Sequence, residues 1–387
     1  MAVTPKLKSV VWRRDGQRLQ VVYDVRDHFL VEDPDGTVEL LLRLLAEGGR
    51  TVDELARALA EEGRAVAVED VAAAVHLLDA HRLLEDGRRL GRFGELERER
   101  YFSNLAFFES FATLRHSRED LQQAVRDAHV LVLGTGGLNS NTIPHLCGLG
   151  VGRLTLLDRD VVEVRNFARQ YLYRHRDLGR RKVELAAEWV REFDPTIKVE
   201  TVDAAVESAE QVGELVDRYE PQVVMSGVDT PREVDDWVNA GCVSRGVPFV
   251  RGGMRVTQGV VWSVEPGVSA CRACVSTTAG REGPGGDDGG LAAQLAAAAL
   301  FSGKPRANRG IGPVAGLLGA LCAFEVLRYL TRFEPPAYAG RPLLIDFADA
   351  CATRQEAPWT RSADCPVCSG TGPAGHRLRE HGKEVIR

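Results

Sequence analysis

The chain has 387 residues, 44% apolar and 27% charged, with a net charge of −6 at pH 7. That length exceeds the usual single domain, so two domains are expected. The acidic balance argues against a nucleic-acid binder, which carries a basic excess. No run of about 18 apolar residues marks a membrane span, and residues 1–14 lack an apolar stretch of signal-peptide length. A cytoplasmic protein with neither nucleic acid nor membrane as partner is expected.

Residues 8–32 read as three short strands, Val10–Trp12, Leu19–Tyr23 and Phe29–Val31, separated by Asp15-Gly16 and by the polar stretch 24–27. A helix follows with Val38, Leu41, Leu42 and Leu45 on one face, stopped at Gly48-Gly49. Thr51 and Glu54 have the spacing of a capping box at the start of a second helix. A third, Glu69–Leu84, carries Val71, Val75, Leu78 and Leu83. Together they predict a small α+β, winged-helix-like domain over 1–90. The charged stretch 85–100 reads as a linker or exposed helix, and the aromatic-rich 101–111 as a packing helix. These assign 91–128 to linker and packing helices.

From His129 the texture becomes alternating buried strands and helices, which predicts an α/β domain over 129–387. Its sheet is expected to be mostly parallel and Rossmann-like, with helices on both faces. Expected strands are Val130–Leu133, Arg153–Leu157, Lys198–Val202, Val223–Ser226, Phe249–Arg251, Gly259–Val264 and Leu343–Phe347. The Gly- and Ala-rich stretch 277–310 reads as a long mobile loop containing a short helix. A helix over Pro313–Leu330 follows.

The strand ending at Leu133 runs directly into Gly134-Thr-Gly136-Gly137-Leu-Asn139, with a helix expected from about Ser140. Glycines there let the backbone approach a phosphate, and the helix N-terminus supplies free N–H groups. Asp158 lies about twenty residues on, at the end of the second strand, where a ribose partner belongs. Asn139 stands where the dinucleotide fingerprint has its last glycine. The chain then offers Arg165-Asn166-Phe-Ala-Arg169-Gln170 and Gly179-Arg-Arg-Lys182, cationic and amide groups suited to a triphosphate. Asp229 follows the strand Val223–Ser226, and a lone carboxylate beside phosphates suits Mg²⁺. A nicotinamide oxidoreductase would share the Gly-rich turn but would have no use for that cationic set.

Four of the eight cysteines form two C-x-x-C pairs, Cys271 with Cys274 and Cys365 with Cys368. Four thiolates at this spacing are the pattern of a structural Zn²⁺ site with no open position.

In this order, the Gly134-x-Gly-Gly-Leu turn, Leu156-Leu-Asp158, Arg165-Asn166-x-x-Arg169-Gln170, Gly179-x-x-Lys182, Val228-Asp229, Gly241-Cys242 and the two cysteine pairs resemble the ThiF/MoeB adenylating family, kin to the activating enzymes of ubiquitin-like proteins. The resemblance runs from Arg100 to Ser369. It implies a homodimeric, ATP-dependent adenylyltransferase. Gly134, Gly136, Gly137 and Gln170 would line the nucleotide site, and Asp158 would hold the ribose. Asn166, Arg169 and Lys182 would bind the triphosphate, and Asp229 would hold Mg²⁺. An acyl oxygen attacks the α-phosphorus and pyrophosphate leaves, driven by positioning and cationic stabilisation.

The sequence departs from that family twice. The family's Arg-Tyr-x-Arg-Gln segment, whose second arginine reaches across the dimer, is matched here by Arg100-Tyr-Phe-Ser103-Asn104, leaving Arg100 or Arg98 as substitutes. The crossover stretch 277–312 has no cysteine, and Cys322 falls in the next helix, against a thioester relay. The N-terminal domain resembles the winged-helix leader-recognition domain of enzymes that modify ribosomally made peptides. There an extended leader adds a strand beside the third helix. On that helix only His76, His81 and Arg82 could act as DNA-contacting cations. The combination resembles the microcin C-type maturation enzymes and implies a precursor peptide as substrate, with room for a partner modification enzyme. The alternatives are activation of a sulfur-carrier C-terminus, or a noncatalytic adaptor that presents a leader peptide.

Overall fold

The structure, a computed structural model, describes residues 3–24, 27–275 and 309–370. It divides into two compact units, Met1–Val125 and Arg126–Arg387.

In the first unit, β2 (Val11–Asp15), β3 (Arg18–Asp24) and β4 (Asp27–Glu32) form an antiparallel sheet with β3 in the middle. The helices α1 (Thr37–Glu47), α2 (Val52–Glu61) and α3 (Val68–Ala80) complete its core. Leu19, Leu42, Leu45, Leu55, Leu59 and Val71 are almost wholly buried there, each contributing about 1.5–3 kcal/mol by removal from water. The capping box is formed, with Thr51 N donating to Glu54 Oε2 at 2.8 Å.

Two readings of this unit are corrected. The third helix ends at Ala80 rather than Leu84, because Arg82 turns into the left-handed region (φ 56°) and frees Leu83 from the helix. The 85–100 stretch is not simply a linker. Leu84–Asp86 is a strand, β5, paired antiparallel with β1 (Pro5–Leu7), and Glu85 is buried against Arg118. Both strands were missed because three residues are too short for a period-2 pattern to register. Beyond them, α4 (Glu95–Arg100), α5 (Phe102–Glu109) and α6 (Arg118–Arg126) are helical; α4 and α5 belong to this unit, and α6 spans the boundary between the units.

The second unit is built on an eight-stranded sheet in the order β13-β12-β11-β10-β9-β6-β7-β8. The strands β6 (His129–Leu133), β7 (Arg153–Leu157), β8 (Lys198–Val202), β9 (Val223–Ser226) and the start of β10 (Phe249–Met254) run parallel. The sheet turns antiparallel at β11 (Gln258–Val264), β12 (Leu343–Asp346) and β13 (Ala352–Gln355). It is the mostly parallel, Rossmann-like α/β sheet expected, with β13 added at one edge. Val130, Leu131, Val132 and Leu133 are fully buried. A strand covered on both faces reads as a continuous apolar run.

Among the helices that flank this sheet are α7 (Asn139–Leu149), α8 (Lys182–Phe193), α9 (Ala209–Tyr219), α10 (Val234–Ser244) and α11 (Gly312–Thr331). α11 is the one described helix long and apolar enough to cross a membrane, yet it is a core helix packed on α7, β9, β10 and β11. The predicted long loop over 277–310 lies outside the described residues, save its last two.

The strand order decides where a ligand can sit. β6 leads to β7 and β8 on one side, while β9 lies on the other. Leu133 is in register with Leu157 and with Ser226, so the C-terminal ends of β7, β6 and β9 lie side by side at this reversal. In open α/β sheets that crevice is where ligands bind.

Candidate active site

The Gly-rich turn is the hub of the crevice. Gly134 has φ +82°, and a Cβ there would come within 3.0 Å of Val228, the neighbour of Asp229. Both constraints demand glycine. Thr135 donates to Asp158 Oδ2 through its backbone N (2.6 Å) and through Oγ1 (2.9 Å). Asp160 N donates to Asp158 Oδ1 at 2.8 Å. The Tyr173 hydroxyl donates to Thr135 O at 2.7 Å, and burial pushes that phenol upward, keeping it a donor. Asp158 is thus held rigidly at the end of β7.

Gly137 serves a different purpose. A Cβ there would lie 2.8 Å from Arg169 Nε, so the Arg169 side chain rests directly on the turn. Asn141, in the first turn of α7, donates to Gly137 O and to Arg169 O, both at 2.8 Å, and so clamps the two segments together. Asn166 lies in a short helical segment, Val164–Ala168, with Arg169 at its C-terminal end and Gln170 next in the chain. Asn166 Oδ1 accepts from Glu163 N at 2.9 Å, and Asn166 O accepts from the backbone of both Arg169 and Gln170. The Gln170 amide lies beside Gly136. Its Oε1 is buried and accepts no hydrogen bond from the described residues, which suits a donor on a ligand in the crevice.

Lys182 is the first residue of α8. Its Nζ is 2.9 Å from Asp160 Oδ2, and its backbone N donates to Asp160 O at 2.9 Å. Asp229 lies three residues beyond Ser226 and is exposed, with Thr230 Oγ1 donating to its Oδ1 at 3.3 Å. The structure therefore connects every nucleotide-site residue expected from the sequence to this one turn: Thr135 to Asp158, Gly136 to Gln170, Gly137 to Arg169, Asp158 to the Asp160–Lys182 pair, and Gly134 to the segment carrying Asp229. Asn166 joins through its hold on the Arg169 backbone.

Asn139 acquires a role here that its place in the fingerprint did not suggest. Its Nδ2 donates to Leu133 O (3.1 Å) and Gly134 O (2.7 Å), and a Cβ on Gly227 would meet that nitrogen at 2.6 Å. The amide fills the gap between the ends of β6 and β9. Asn141 was missed altogether; it lies in a first turn that is polar throughout, Asn139-Ser140-Asn141-Thr142, so nothing in the sequence singled it out. Cys322 is fully buried in α11, and burial pushes its thiol upward, so it is no nucleophile.

The four cysteines of the two C-x-x-C pairs form one buried cluster. Their Sγ atoms lie within 4.8 Å of one another, with Cys271–Cys274 at 3.9 Å, Cys271–Cys365 at 3.6 Å and Cys274–Cys368 at 3.3 Å. Tetrahedral zinc with Zn–S of about 2.3 Å places thiolates about 3.8 Å apart. The set has the ligand type, number and approximate spacing that such an ion needs. Arg361 fastens the second pair, donating to Gly267 O and Cys368 O.

These features define a nucleotide-binding α/β protein with its ligand crevice at the strand-order reversal and, in the same unit, a buried four-cysteine cluster. Residues 109–367 match the ThiF family. The molybdopterin-synthase adenylyltransferase of Escherichia coli is 30% identical over 251 residues, which is 64% of this chain and 90% of that protein. The sulfur carrier protein ThiS adenylyltransferase of the same species is 26% identical over 272 residues, covering 67% and 96%. Among solved structures, E. coli MccB superposes with a TM-score of 0.72 at 19% identity over 99% of this chain and 100% of its own. The chain belongs to the ThiF family.

Proposed function

We propose that this chain is an enzyme of peptide maturation: it recruits a ribosomally made precursor peptide through its first unit and adenylates a carboxylate or amide oxygen of that peptide in its second. By family it is an ATP-dependent adenylyltransferase. The observation that carries the peptide reading is the extent of the structural likeness. The family match begins at residue 109, whereas the likeness to MccB covers 99% of the chain and so includes the first unit. A structure of MccB, described as a microcin C7 biosynthetic enzyme, holds N-formylated MccA.

The first unit has a surface suited to an extended peptide. β4 is an edge strand, with unpaired backbone groups along its outer side. Phe29 of β4 meets His81 at the end of α3 edge-on at 4.5 Å, which sets that helix end beside the strand. Leu30 and Leu77 are exposed on β4 and α3. An added strand there would gain backbone hydrogen bonds, with apolar side chains to grip.

In the second unit, bound ATP offers an electrophilic α-phosphorus. Asp158, fixed by Thr135, accepts from the ribose hydroxyls. Arg169, seated on Gly137, and Lys182, released from Asp160, neutralise the phosphates, and Asn166 and Gln170 contribute amide contacts. The substrate oxygen forms a bond to the α-phosphorus as the bond to pyrophosphate breaks, and fixed cations lower that barrier because they need no reorganisation. Asp229, an exposed carboxylate engaged among the described residues only by Thr230 Oγ1 at one oxygen, suits Mg²⁺. The Cys271, Cys274, Cys365 and Cys368 cluster would hold zinc in a structural role. The family implies a homodimer, in which Arg98 or Arg100 would reach the partner's nucleotide.

Activation of a sulfur-carrier C-terminus is the second reading, favoured by the activities for which the sequence relatives are named. Pyrophosphate release from ATP with candidate precursor peptides, compared with Asp229→Ala, separates these readings. Peptide-dependent release that vanishes in the variant is expected. Release only with a small sulfur-carrier protein would favour the second reading, and no release with tight leader binding would favour an adaptor.

A further inference from the structure

Arg251 is a buried cation beside the site that no nucleotide-binding motif uses. It lies on β10 in register with Ser226 of β9, one step before the Gly227–Val228–Asp229 segment. Successive strand residues face opposite sides of a sheet. Gly252 faces α11, since a Cβ there would meet Cys322 Sγ at 2.7 Å. Arg251 accordingly faces α10. There its Nε donates to Asp235 Oδ1 at 2.7 Å, in the first turn of that helix.

Asp229 sits on the connection between these two anchored points. At one end, β9 is tied to β10 at Ser226; at the other, α10 is tied to β10 through Asp235. Arg251 supplies both ties from one residue, by its backbone and by its side chain. Only 8% of Arg251 is exposed. Burial opposes its charge, but Asp235, by charge and hydrogen bond, and then Asp229 outweigh it and hold the guanidinium above its ordinary value. Its Nη1 turns to the neighbouring Gly252 carbonyl. A buried charge kept at that cost, beside an exposed acidic residue at a strand end, is more than a core ornament.

We propose that Arg251 is the positioning residue for Asp229: by holding Asp235 it fixes the connection from β9 to α10, and so sets where the Asp229 carboxylate meets a divalent cation bound with the nucleotide. The inference rests on the reading of Asp229 as the cation ligand of the adenylating site. Groups that orient a metal ligand without touching the metal typically change metal affinity by about 10- to 100-fold when removed.

The test uses the full chain and Mn²⁺ as the probe, followed by loss of the free-ion electron paramagnetic resonance signal in the presence of a non-hydrolysable ATP analogue. Arg251→Gln and Asp235→Asn are each expected to weaken Mn²⁺ binding roughly tenfold or more, with metal-free binding of the analogue unchanged. Their combination is expected to be no worse than the weaker single variant, because both break the same link. Arg251→Lys keeps the charge without the planar fork and should rescue in part. Should Arg251→Gln fail to fold, Asp235→Asn carries the test from the more exposed side of the pair. Unchanged Mn²⁺ affinity in Asp235→Asn, alongside a clear loss in Asp229→Asn, would overturn the positioning role and leave the adenylating site standing. Unchanged affinity in Asp229→Asn would instead remove the reading on which the proposal rests.

Discussion

Replacing Gly137 by alanine should disable nucleotide binding through a side chain thirty-two positions away. Gly137 is not in the left-handed region, so alanine there imposes no backbone strain. Its Cβ would nevertheless lie 2.8 Å from Arg169 Nε and 3.1 Å from its Cδ, inside ordinary contact distance. The Arg169 side chain must therefore move off the turn, while its backbone stays clamped by Asn141. A hydrogen bond to a charged group is worth about 1.5–3 kcal/mol, which is roughly 10- to 150-fold in affinity. Calorimetric titration with ATP measures this directly and needs no knowledge of the peptide. A double-mutant cycle isolates the contact between the two residues. If alanine at 137 acts only by displacing Arg169, then it should cost nothing further once Arg169→Ala is present. Additive losses in the double variant, or unaltered ATP binding in Gly137→Ala, would mean that Arg169 does not act from its seat on Gly137.

Two further outcomes follow from the second unit. His129 is buried, with Nε2 2.9 Å from Thr155 Oγ1. Burial, aided by the charge of Arg153, pushes it from 6.5 down to about 4. The unfolded chain therefore takes up a proton that the folded one refuses. Stability is fully present above pH 6.5 and declines as pH falls toward 4, by up to about 3 kcal/mol. Urea unfolding at pH 7 and pH 4.5 should show this loss in the wild type and much less in His129→Asn; equal losses would discount the histidine. For the cysteine cluster, elemental analysis should find one zinc per chain, and Cys368→Ser should lose it. If only about 3 kcal/mol of the zinc's contribution is forfeited, the melting midpoint drops by roughly 6–12 °C. A variant that melts like the wild type would argue against a structural ion.

The second unit was legible because its signals are local. The strand from His129 to Leu133 is wholly buried, so its apolar run has no polar interruption to confuse it. The turn after it needs glycine for reasons of φ and of close approach, and both leave a mark in the chain. Short pieces were not legible: β1 and β5 pair with each other across most of the first unit, and neither three-residue strand can announce a partner so distant. Glu85 read as part of a charged linker because its partner, Arg118, is thirty-three residues on. Arg251 looked like any arginine at the end of a strand, since nothing near it in sequence says that Asp235 will lie beside it.

The sequence alone determined the chemistry available to this protein. The order of its glycines, cations and carboxylates, and the two C-x-x-C pairs, name a nucleotide site and a thiolate cluster, because backbone freedom, charge and ligand type belong to residues before they fold. Tertiary structure decided which of those groups act together. The reversal of strand order brings the ends of β6, β7 and β9 side by side, and side-chain packing seats Arg169 on Gly137 and fills the remaining gap with Asn139. Contacts of that kind depend on long-range register and on the shape of the space left between elements, and neither is written into any short stretch of chain.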